Sequence, residues 1–349
     1  MRQLQAELGL DRIVKLASNE GPFGPLPAAV AAFEGSAREL NRYPDGGGTR
    51  LREALAARFD VPSEQVVLGN GADELIRLAA LATLDPGDRA VYPWPSFQTY
   101  PTALTAAAAD AHPIAMRDRA FDLGAILAAC ARDRRQGGGA AKLVYLANPN
   151  NPTGTLVRRE EIRAFVEALP QDVLCVLDEA YAEYAEDEPD GVALVREGCE
   201  RICVLRTFSK VYGLAALRVG YAIASPQIAD ALNRVRPIFN VNQPAQEAAL
   251  ASLHETEAVA RRIAHTRVAR DELYEVLAGA GLDPIPSHAN FVYADVPDGD
   301  GDGLADRLLH AGFIVRALRA FGAPGAIRVT VGTDEEMRDF ARALPGVVS

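Results

Sequence analysis

The sequence predicts an α/β protein with a mostly parallel central sheet flanked by helices, followed by a smaller α+β domain. Between residues 66 and 224, short apolar runs typical of buried strands alternate with segments of helical spacing. After Pro237 the pattern changes to long amphipathic helices and two β-like segments, 290–296 and 326–332. A chain of 349 residues is also long enough for two domains.

We therefore predict three parts of the chain. Residues 1–24 form an N-terminal arm, residues 25–235 a large domain, and residues 236–349 a small C-terminal domain. Residues 25–43 are amphipathic in part and could pack with the small domain instead.

Composition excludes several classes of protein. The chain has 49% hydrophobic and 24% charged residues, and its net charge of -11 argues against nucleic acid or an anionic membrane as main partner. No apolar run approaches the roughly 20 residues of a membrane span, and residues 1–15 do not resemble a signal peptide.

Cysteine and histidine usage points to a reducing compartment and away from a metal site. The four cysteines form no C-x-x-C pair, and Cys175 and Cys203 lie within predicted strands, so the cytoplasm fits best. The five histidines are scattered without ligand spacing, and no metal is expected.

The elements follow in order along the chain. The arm ends in KLASNEGPFGP, which is too rich in glycine and proline for a long element. The predicted segments after it are an amphipathic stretch (27–40), a turn-rich stretch (41–48), helices (51–59 and one that begins after 71), strands (66–68 and 90–92), a glycine linker (137–139), a strand (143–146), a helix (162–169) and strands (173–177, 202–205 and 219–224).

Polar clusters follow the strands of the predicted sheet. They are NPNN at 148–151, DEAY at 178–181 and TFSK at 207–210. Because the carboxyl ends of parallel strands lie at one edge of a sheet, and ligands bind there, these clusters are expected to share one site.

Two further features suit an anion and a nucleophile. The strand–GNG–helix junction at 66–74 offers free backbone N–H groups and a helix N-terminus, although its acidic first turn also fits ordinary dipole compensation. Lys210 lies beside hydroxyls and eight residues before Arg218, where desolvation would lower its pKa and favour the neutral amine that forms a Schiff base.

These residues together match the needs of pyridoxal 5′-phosphate. Asp178 could keep the ring nitrogen protonated, and Lys210 could form the Schiff base and then carry a proton as general base and acid. The phosphate would be held by Arg218, Thr207, Ser209 and the backbone at Ala72 and Asp73.

The chain resembles the fold-type-I pyridoxal-phosphate aminotransferases, and within them the histidinol-phosphate aminotransferases. The segments that carry the resemblance run in family order: KLASNE (15–20), RYPD (42–45), GNGADE (69–74), NPNNPTG (148–154), LDEAY (177–181), RTFSKVYGLAALRVGY (206–221), NF (290–291), IVR (314–316) and IRVTVGT (327–333).

The resemblance implies roles for individual cofactor residues. Lys210 matches the Schiff-base lysine and Asp178 the partner of the pyridinium nitrogen. Asn151 and Tyr181 match the donors to the phenolic oxygen of the cofactor, and Phe97 matches the aromatic residue stacked on its ring.

Substrate and partner roles are implied in the same way. Tyr43 matches a tyrosine that reaches the cofactor phosphate of the neighbouring subunit, which implies a homodimer with shared sites. Arg328, with Arg316 as helper, matches the arginine that grips the anionic end of both substrates, and Asn151 also faces the substrate. Guanidinium groups suit both a carboxylate and a phosphate monoester.

One segment of the family pattern is not found. Relatives usually carry a Pro-Tyr pair ahead of the region that matches Gly9–Lys15, whereas this sequence starts at Met1, a few residues before that region. We expect either a start further upstream or a pocket that is capped differently.

The expected reaction is transfer of an amino group from L-histidinol phosphate to 2-oxoglutarate in histidine biosynthesis, by a cytoplasmic homodimer. The alternatives are an aromatic (phenylalanine) aminotransferase, a threonine-phosphate-type decarboxylase with the same cofactor, and a non-catalytic binding protein of the same fold. GNGADE favours the first reaction over the aromatic alternative, and the joint presence of Lys210, Asp178 and Arg218 argues against the non-catalytic reading.

Overall fold

A computed structural model describes residues 2–131, 141–186 and 189–348 of the chain. The predicted glycine linker at 137–139 lies outside the described residues. No helix within those ranges is both long enough and apolar enough to cross a membrane.

The described residues contain fourteen α-helices and thirteen strands. The helices are α1 (Arg2–Leu8), α2 (Pro27–Ser36), α3 (Thr49–Phe59), α4 (Gly71–Thr83), α5 (Thr99–Ala106), α6 (Leu123–Cys130), α7 (Arg159–Ala168), α8 (Gly191–Arg196), α9 (Pro226–Val235), α10 (Gln243–Ser252), α11 (Thr256–Gly279), α12 (Gly301–His310), α13 (Asp334–Ala343) and α14 (Pro345–Val348). The strands are β1 (Val14–Lys15), β2 (Val66–Gly69), β3 (Arg89–Trp94), β4 (Asp110–Ala115), β5 (Ala141–Ala147), β6 (Leu174–Asp178), β7 (Ile202–Thr207), β8 (Gly220–Ala224), β9 (Asp283–Pro284), β10 (Phe291–Asp295), β11 (Phe313–Ile314), β12 (Arg316–Ala317) and β13 (Ala326–Thr330).

A seven-stranded sheet in the order β2-β8-β7-β6-β5-β3-β4 forms the centre of the molecule. Strands β3 to β7 run parallel to one another, whereas β8 is antiparallel to both β7 and β2. The predicted fold class, α/β with a mostly parallel sheet, is confirmed. Strands β5, β6 and β7 are buried along almost their whole length, which explains their continuous apolar sequences.

Strand β4 and helices α5 and α6 were not predicted from the sequence. The β4 segment, DAHPIA, contains His112 and Pro113, and its residues are exposed or half-buried at the edge of the sheet. Proline is tolerated at such an edge but weakens the sequence pattern of a strand.

The large sheet separates two apolar cores. One lies under α3, α7 and α8 and includes Leu55, Phe165 and Phe208, and the other lies under α4 and α5 and includes Leu75 and Tyr100. Covering both faces of the sheet is what buries the parallel strands.

A four-stranded antiparallel sheet, β12-β13-β10-β9, forms the second unit. Its core is shared with the later part of α11 and with α12 and α13. Strand β13 alternates apolar and polar residues as predicted, but its polar face is buried too: Arg328 and Thr330 are each only 3% exposed. That face points toward the arm and the large sheet.

The N-terminal arm joins the two sheets. Strand β1 pairs in parallel with β11, and the carbonyl of Leu16 accepts a hydrogen bond of 2.9 Å from the N–H of Thr330 in β13. Asn19 then contacts Tyr181, which follows β6 of the large sheet. The arm is therefore part of both packing units.

The predicted domain boundaries stay predictions. Helix α2 packs on α10, and Ala245 and Ala248 of α10 belong to the core of the large sheet. Packing thus associates residues 25–43 and the start of the predicted small domain with the large sheet.

A matched pair of substitutions on α4 tests this packing. Leu75 is fully buried over the large sheet, whereas Leu81 on the same helix is 50% exposed. We expect Leu75→Ala to lower the free energy of unfolding by about 2–5 kcal/mol, because a cavity replaces the side chain. Leu81→Ala should change it by less than about 0.5 kcal/mol. Urea denaturation of both variants measures the difference, and equal losses would contradict the described core.

Candidate active site

A cavity of about 440 Å³ lies at the carboxyl edge of the large sheet, where β5, β6 and β7 end. The small sheet and the arm close its other side. Twelve of the thirteen residues predicted for the site line it: Ala72, Asp73, Phe97, Asn151, Asp178, Tyr181, Thr207, Ser209, Lys210, Arg218, Arg316 and Arg328. Tyr43 does not.

Asp178 is the last residue of β6 and lies at the base of the cavity. Its carboxylate accepts hydrogen bonds of 3.2 Å from the hydroxyl of Tyr100 and from the N–H of Ala180. Burial raises the pKa of Asp178 to about 6, while these two donors and nearby Lys210 act in the opposite direction.

Lys210 lies in the turn after β7 and reaches the same cavity. Its Nζ is 5.4 Å from the centre of the Tyr181 ring. Burial lowers the pKa of Lys210 to about 8, and the positive charge of Arg328 adds to the lowering, whereas Glu20 and Asp178 oppose it. A neutral amine is therefore accessible near physiological pH.

Hydroxyl and guanidinium groups gather between β7 and α4. The Thr207 hydroxyl donates to the Ser209 hydroxyl over 3.0 Å. Arg218 Nη1 lies 3.4 Å from the Ser209 Oγ and donates to the carbonyl of Ala215 over 2.9 Å. Two hydroxyl groups and a guanidinium group thus converge on one end of the cavity, which suits a phosphate dianion.

Two glycines allow this cluster to meet the N-terminus of α4. A Cβ on Gly71 would clash with the guanidinium of Arg218, and Gly71 also has a φ of +75°. A Cβ on Gly220 would lie 2.8 Å from the backbone N of Ala72. The backbone can therefore approach the arginine and present unpaired helix N–H groups to an anion.

The side chain of Asp73 forms hydrogen bonds with residues of α4 and α5. Its carboxylate accepts hydrogen bonds from Thr99 and from Arg77. Asp73 therefore contributes its backbone to the cavity while its carboxylate fixes the start of α4 to α5.

Arg328 of β13 closes the opposite end of the cavity. It donates to the side-chain oxygen of Asn151 and, over 2.8 Å, to the carbonyl of Ala17, while its buried Nε has no hydrogen-bond partner among the described residues. Burial lowers the pKa of Arg328 to about 10. Arg328 lines the cavity, so its guanidinium places a positive charge where an anionic ligand would bind.

Arg316 is paired directly across from Arg328 in the small sheet. It is exposed, and its Nε lies 3.4 Å from the carbonyl of Ala17. Two adjacent guanidinium groups give this end of the cavity two positive charges.

Two aromatic residues form walls of the cavity. Phe97 is half-buried and packs edge-on against Tyr100, with ring centres 5.9 Å apart. Tyr181 packs edge-on against Phe291 and accepts a hydrogen bond of 2.9 Å from Asn19. Burial raises the pKa of Tyr181, so its phenol stays protonated at neutral pH.

Tyr43 lies outside the cavity of its own chain. Its side chain is 83% exposed and stacks on Phe239, with ring centres 4.6 Å apart. Ile238 is also exposed beside it, so the three residues form an apolar surface patch.

Several cavity residues were not predicted. Ser18, Asn19 and Glu20 come from the arm, and Phe321 from the turn between β12 and β13. The motif KLASNE indicated that the arm matters, but neither periodicity nor strand-end position assigns its residues to the cavity.

Comparison with known proteins gives consistent matches over the whole chain. The family model for aminotransferase class I and II matches residues 11–344. Histidinol-phosphate aminotransferase 2 of Pseudomonas aeruginosa is 43% identical over 353 residues, covering 99% of this chain and 93% of that protein. Histidinol-phosphate aminotransferase 1 of Nitrosococcus oceani is 40% identical, covering 100% and 92%.

A solved structure matches the fold equally well. The crystal structure of histidinol-phosphate aminotransferase from Sinorhizobium meliloti in complex with pyridoxal-5′-phosphate superimposes with a TM-score of 0.90 at 30% identity, covering 99% of this chain and 94% of that one. The fold is that of the fold-type-I pyridoxal-phosphate enzymes. The chain belongs to the class I and II aminotransferase family, and its relatives named above are histidinol-phosphate aminotransferases.

The buried carboxyl of Asp178 gives a test that needs no ligand. Because the pKa is raised from 3.8 to about 6, the folded state loses stability as the pH rises through this range and the group ionises without full solvation. Asp178→Asn should therefore stabilise the cofactor-free protein by about 2–3 kcal/mol at pH 7.5 and by little at pH 4. Urea unfolding at both pH values measures this, and a gain that does not depend on pH would contradict it.

Proposed function

We propose that this protein transfers the amino group of L-histidinol phosphate to 2-oxoglutarate, giving 3-(imidazol-4-yl)-2-oxopropyl phosphate and L-glutamate, as a step of histidine biosynthesis. The observation that carries the proposal is the pair Arg328 and Arg316 at one end of the cavity, opposite a lysine and a buried carboxylate. The names of full-length relatives support the choice of substrate.

The cavity fits pyridoxal 5′-phosphate by the chemistry of its donors. Arg218, Ser209, Thr207 and the N-terminus of α4 would hold the phosphate, and Lys210 would hold the aldehyde carbon covalently. When bound, the cofactor supplies an electron sink that stabilises negative charge at a substrate carbon after its proton has left.

Asp178 would hold the ring nitrogen in its protonated form. Ionisation of this buried carboxyl without a partner destabilises the folded protein. A cation placed against the carboxylate offsets that cost. Tyr100 and the N–H of Ala180 fix its direction. The carboxylate therefore both orients the ring and keeps its electron demand high.

Lys210 would move the proton of the reacting carbon. With a pKa near 8, its amine is poised to accept a proton at neutral or mildly basic pH and to return it later. The same side chain then acts as base and acid in both halves of the reaction.

Arg328 and Arg316 would bind the anionic end of each substrate in turn. Hydrogen bonds to Asn151 and to the carbonyl of Ala17 orient the Arg328 side chain before a substrate binds. Two guanidinium groups can neutralise a phosphate monoester, and a single carboxylate needs fewer of their donors. The site can thereby accept both the amino donor and the oxo-acid acceptor.

The site is proposed to be completed by a second copy of the chain. Tyr43 is exposed and belongs to an apolar patch with Ile238 and Phe239, which a symmetric homodimer would bury. The phenol of one subunit would then reach the cofactor phosphate of the other.

Four unpaired cysteines are consistent with a protein that functions in the reducing cytoplasm.

Separate half-reactions test the substrate. The cofactor-loaded protein is mixed with L-histidinol phosphate or with L-phenylalanine, and the absorbance change of the bound cofactor is followed. We expect conversion by histidinol phosphate to be on the order of tenfold faster or more, because only it places a doubly charged group against two arginines. Lys210→Ala serves as the control and should lose the covalent cofactor absorbance and all conversion.

The other outcomes assign the protein differently. Faster conversion by phenylalanine would identify an aromatic aminotransferase. Release of carbon dioxide without need of 2-oxoglutarate would identify a decarboxylase. If the protein binds no pyridoxal phosphate, the proposed function is wrong as a whole.

Mixed subunits test the shared site. Tyr43→Phe should weaken cofactor affinity roughly tenfold by removing one hydrogen bond to the phosphate. Subunits of Tyr43→Phe and of Lys210→Ala, unfolded together and refolded, should recover sites of native affinity and activity that neither variant has alone. Each variant refolded by itself is the control. No recovery, with mixed dimers shown to form, would contradict shared sites.

A further inference from the structure

Asn19 is the point where the arm crosses the cavity between the two sheets. It is 1% exposed and adopts a left-handed backbone conformation, with a φ of +54° that asparagine tolerates better than most residues. Its N–H donates to the hydroxyl of Thr330 over 3.0 Å, and its carbonyl accepts from the side chain of Asn290 over 3.1 Å. The backbone of Asn19 is therefore held by β13 and by the residue preceding β10.

The side-chain amide of Asn19 has a defined orientation. Its Nδ2 donates to the hydroxyl oxygen of Tyr181 over 2.9 Å, and its Oδ1 accepts from the hydroxyl of Thr330 over 3.0 Å. In the opposite orientation the buried Thr330 hydroxyl would lose this acceptor, and its oxygen would face two donors of Asn19, the backbone N–H and the side-chain NH₂. The side-chain NH₂ of Asn19 is thus the donor, and the hydroxyl oxygen of Tyr181 is the acceptor.

This direction decides what the phenol of Tyr181 can do. A phenol has one proton to donate, and here its oxygen already accepts a hydrogen bond from Asn19. Its own O–H is therefore not used for Asn19 and remains available to the cavity, which Tyr181 lines.

We propose that Asn19 is a positioning residue: by donating to the Tyr181 oxygen, it directs the tyrosine O–H toward the phenolic oxygen of the bound cofactor. The inference rests on the proposed function, because it needs pyridoxal phosphate in the cavity.

Asn19 also connects this donor to the substrate-binding end. Thr330, which holds Asn19 by two hydrogen bonds, lies two residues after Arg328 on β13. The residue that fixes Asn19 and the arginine at the substrate-binding end therefore belong to the same strand.

The test is Asn19→Asp, which keeps the size and the backbone tolerance of the residue but replaces the donor by an acceptor. The introduced carboxylate would accept the Tyr181 O–H and withdraw it from the cofactor. A donor at the phenolic oxygen favours the deprotonated form of the bound chromophore, so its loss should raise the midpoint of the absorbance–pH titration by about 1 pH unit.

A double-mutant cycle separates this effect from that of the added charge. In a Tyr181→Phe background there is no O–H to redirect, so Asn19→Asp should leave the titration midpoint unchanged there. A shift of the same size in both backgrounds would mean that the charge acts directly, and would overturn the proposal.

Asn19→Gly provides a variant without charge. Glycine adopts the left-handed backbone without strain, and the Tyr181 hydroxyl is then no longer directed. We expect a smaller rise of the midpoint that also vanishes with Tyr181→Phe. If Asn19→Asp fails to fold, this variant decides the question, and an unchanged midpoint in it overturns the proposal.

The failure of the proposed function looks different. If the native protein shows no cofactor absorbance, the cofactor assignment itself is wrong. If the native protein binds the cofactor and titrates normally while both Asn19 variants titrate like it, only the role of Asn19 is wrong.

Discussion

Burial of two ionisable groups in one cavity is the constraint on which the site depends. Asp178 is buried and Lys210 is half-buried in the same cavity, and loss of solvation moves both toward their neutral forms: the pKa of the acid rises to about 6 and that of the amine falls to about 8. An ordinary lysine would be almost wholly charged at neutral pH and unable to act as a nucleophile or base. The parallel sheet supplies this burial, because its strands end at one edge under a second structural unit.

The cavity has positive groups at both ends, with the carboxyl of Asp178 and the amine of Lys210 between them. Arg218 and the start of α4 lie at one end, and Arg328 and Arg316 at the other. Two glycines are as important as the charges. Because Gly71 and Gly220 have no Cβ, the start of α4 can approach Arg218. A ligand with an anionic group at each extremity is therefore held along a fixed direction across the carboxylate and the lysine.

The sequence predicted those site residues whose position follows from the end of a nearby strand. Asn151, Asp178 and Lys210 each come shortly after or at the end of an apolar run, and parallel strands must end together, so their convergence could be expected. Arg316 and Arg328 were reached through resemblance, because a polar face on β13 would normally be assigned to solvent. Asn19 and Phe321 were not predicted, because their place in the cavity depends on contacts between distant segments: Asn19 binds Thr330, 311 positions away, and Phe321 packs with Phe97 of the large domain. Strand β4 was missed because Pro113 and His112 interrupt the apolar pattern at an edge.

The arm has a further consequence for how the molecule is made. Asn19 leaves the ribosome early, but Thr330, which holds it, is separated from it by 311 positions and is therefore synthesised much later. The strands with Asp178 and Lys210 can pair while translation continues, whereas the arm has no partner in β13 until Thr330 has been synthesised. The substrate-binding end, which needs both the arm and β13, therefore cannot be completed before the strands of the cofactor-binding edge have been synthesised.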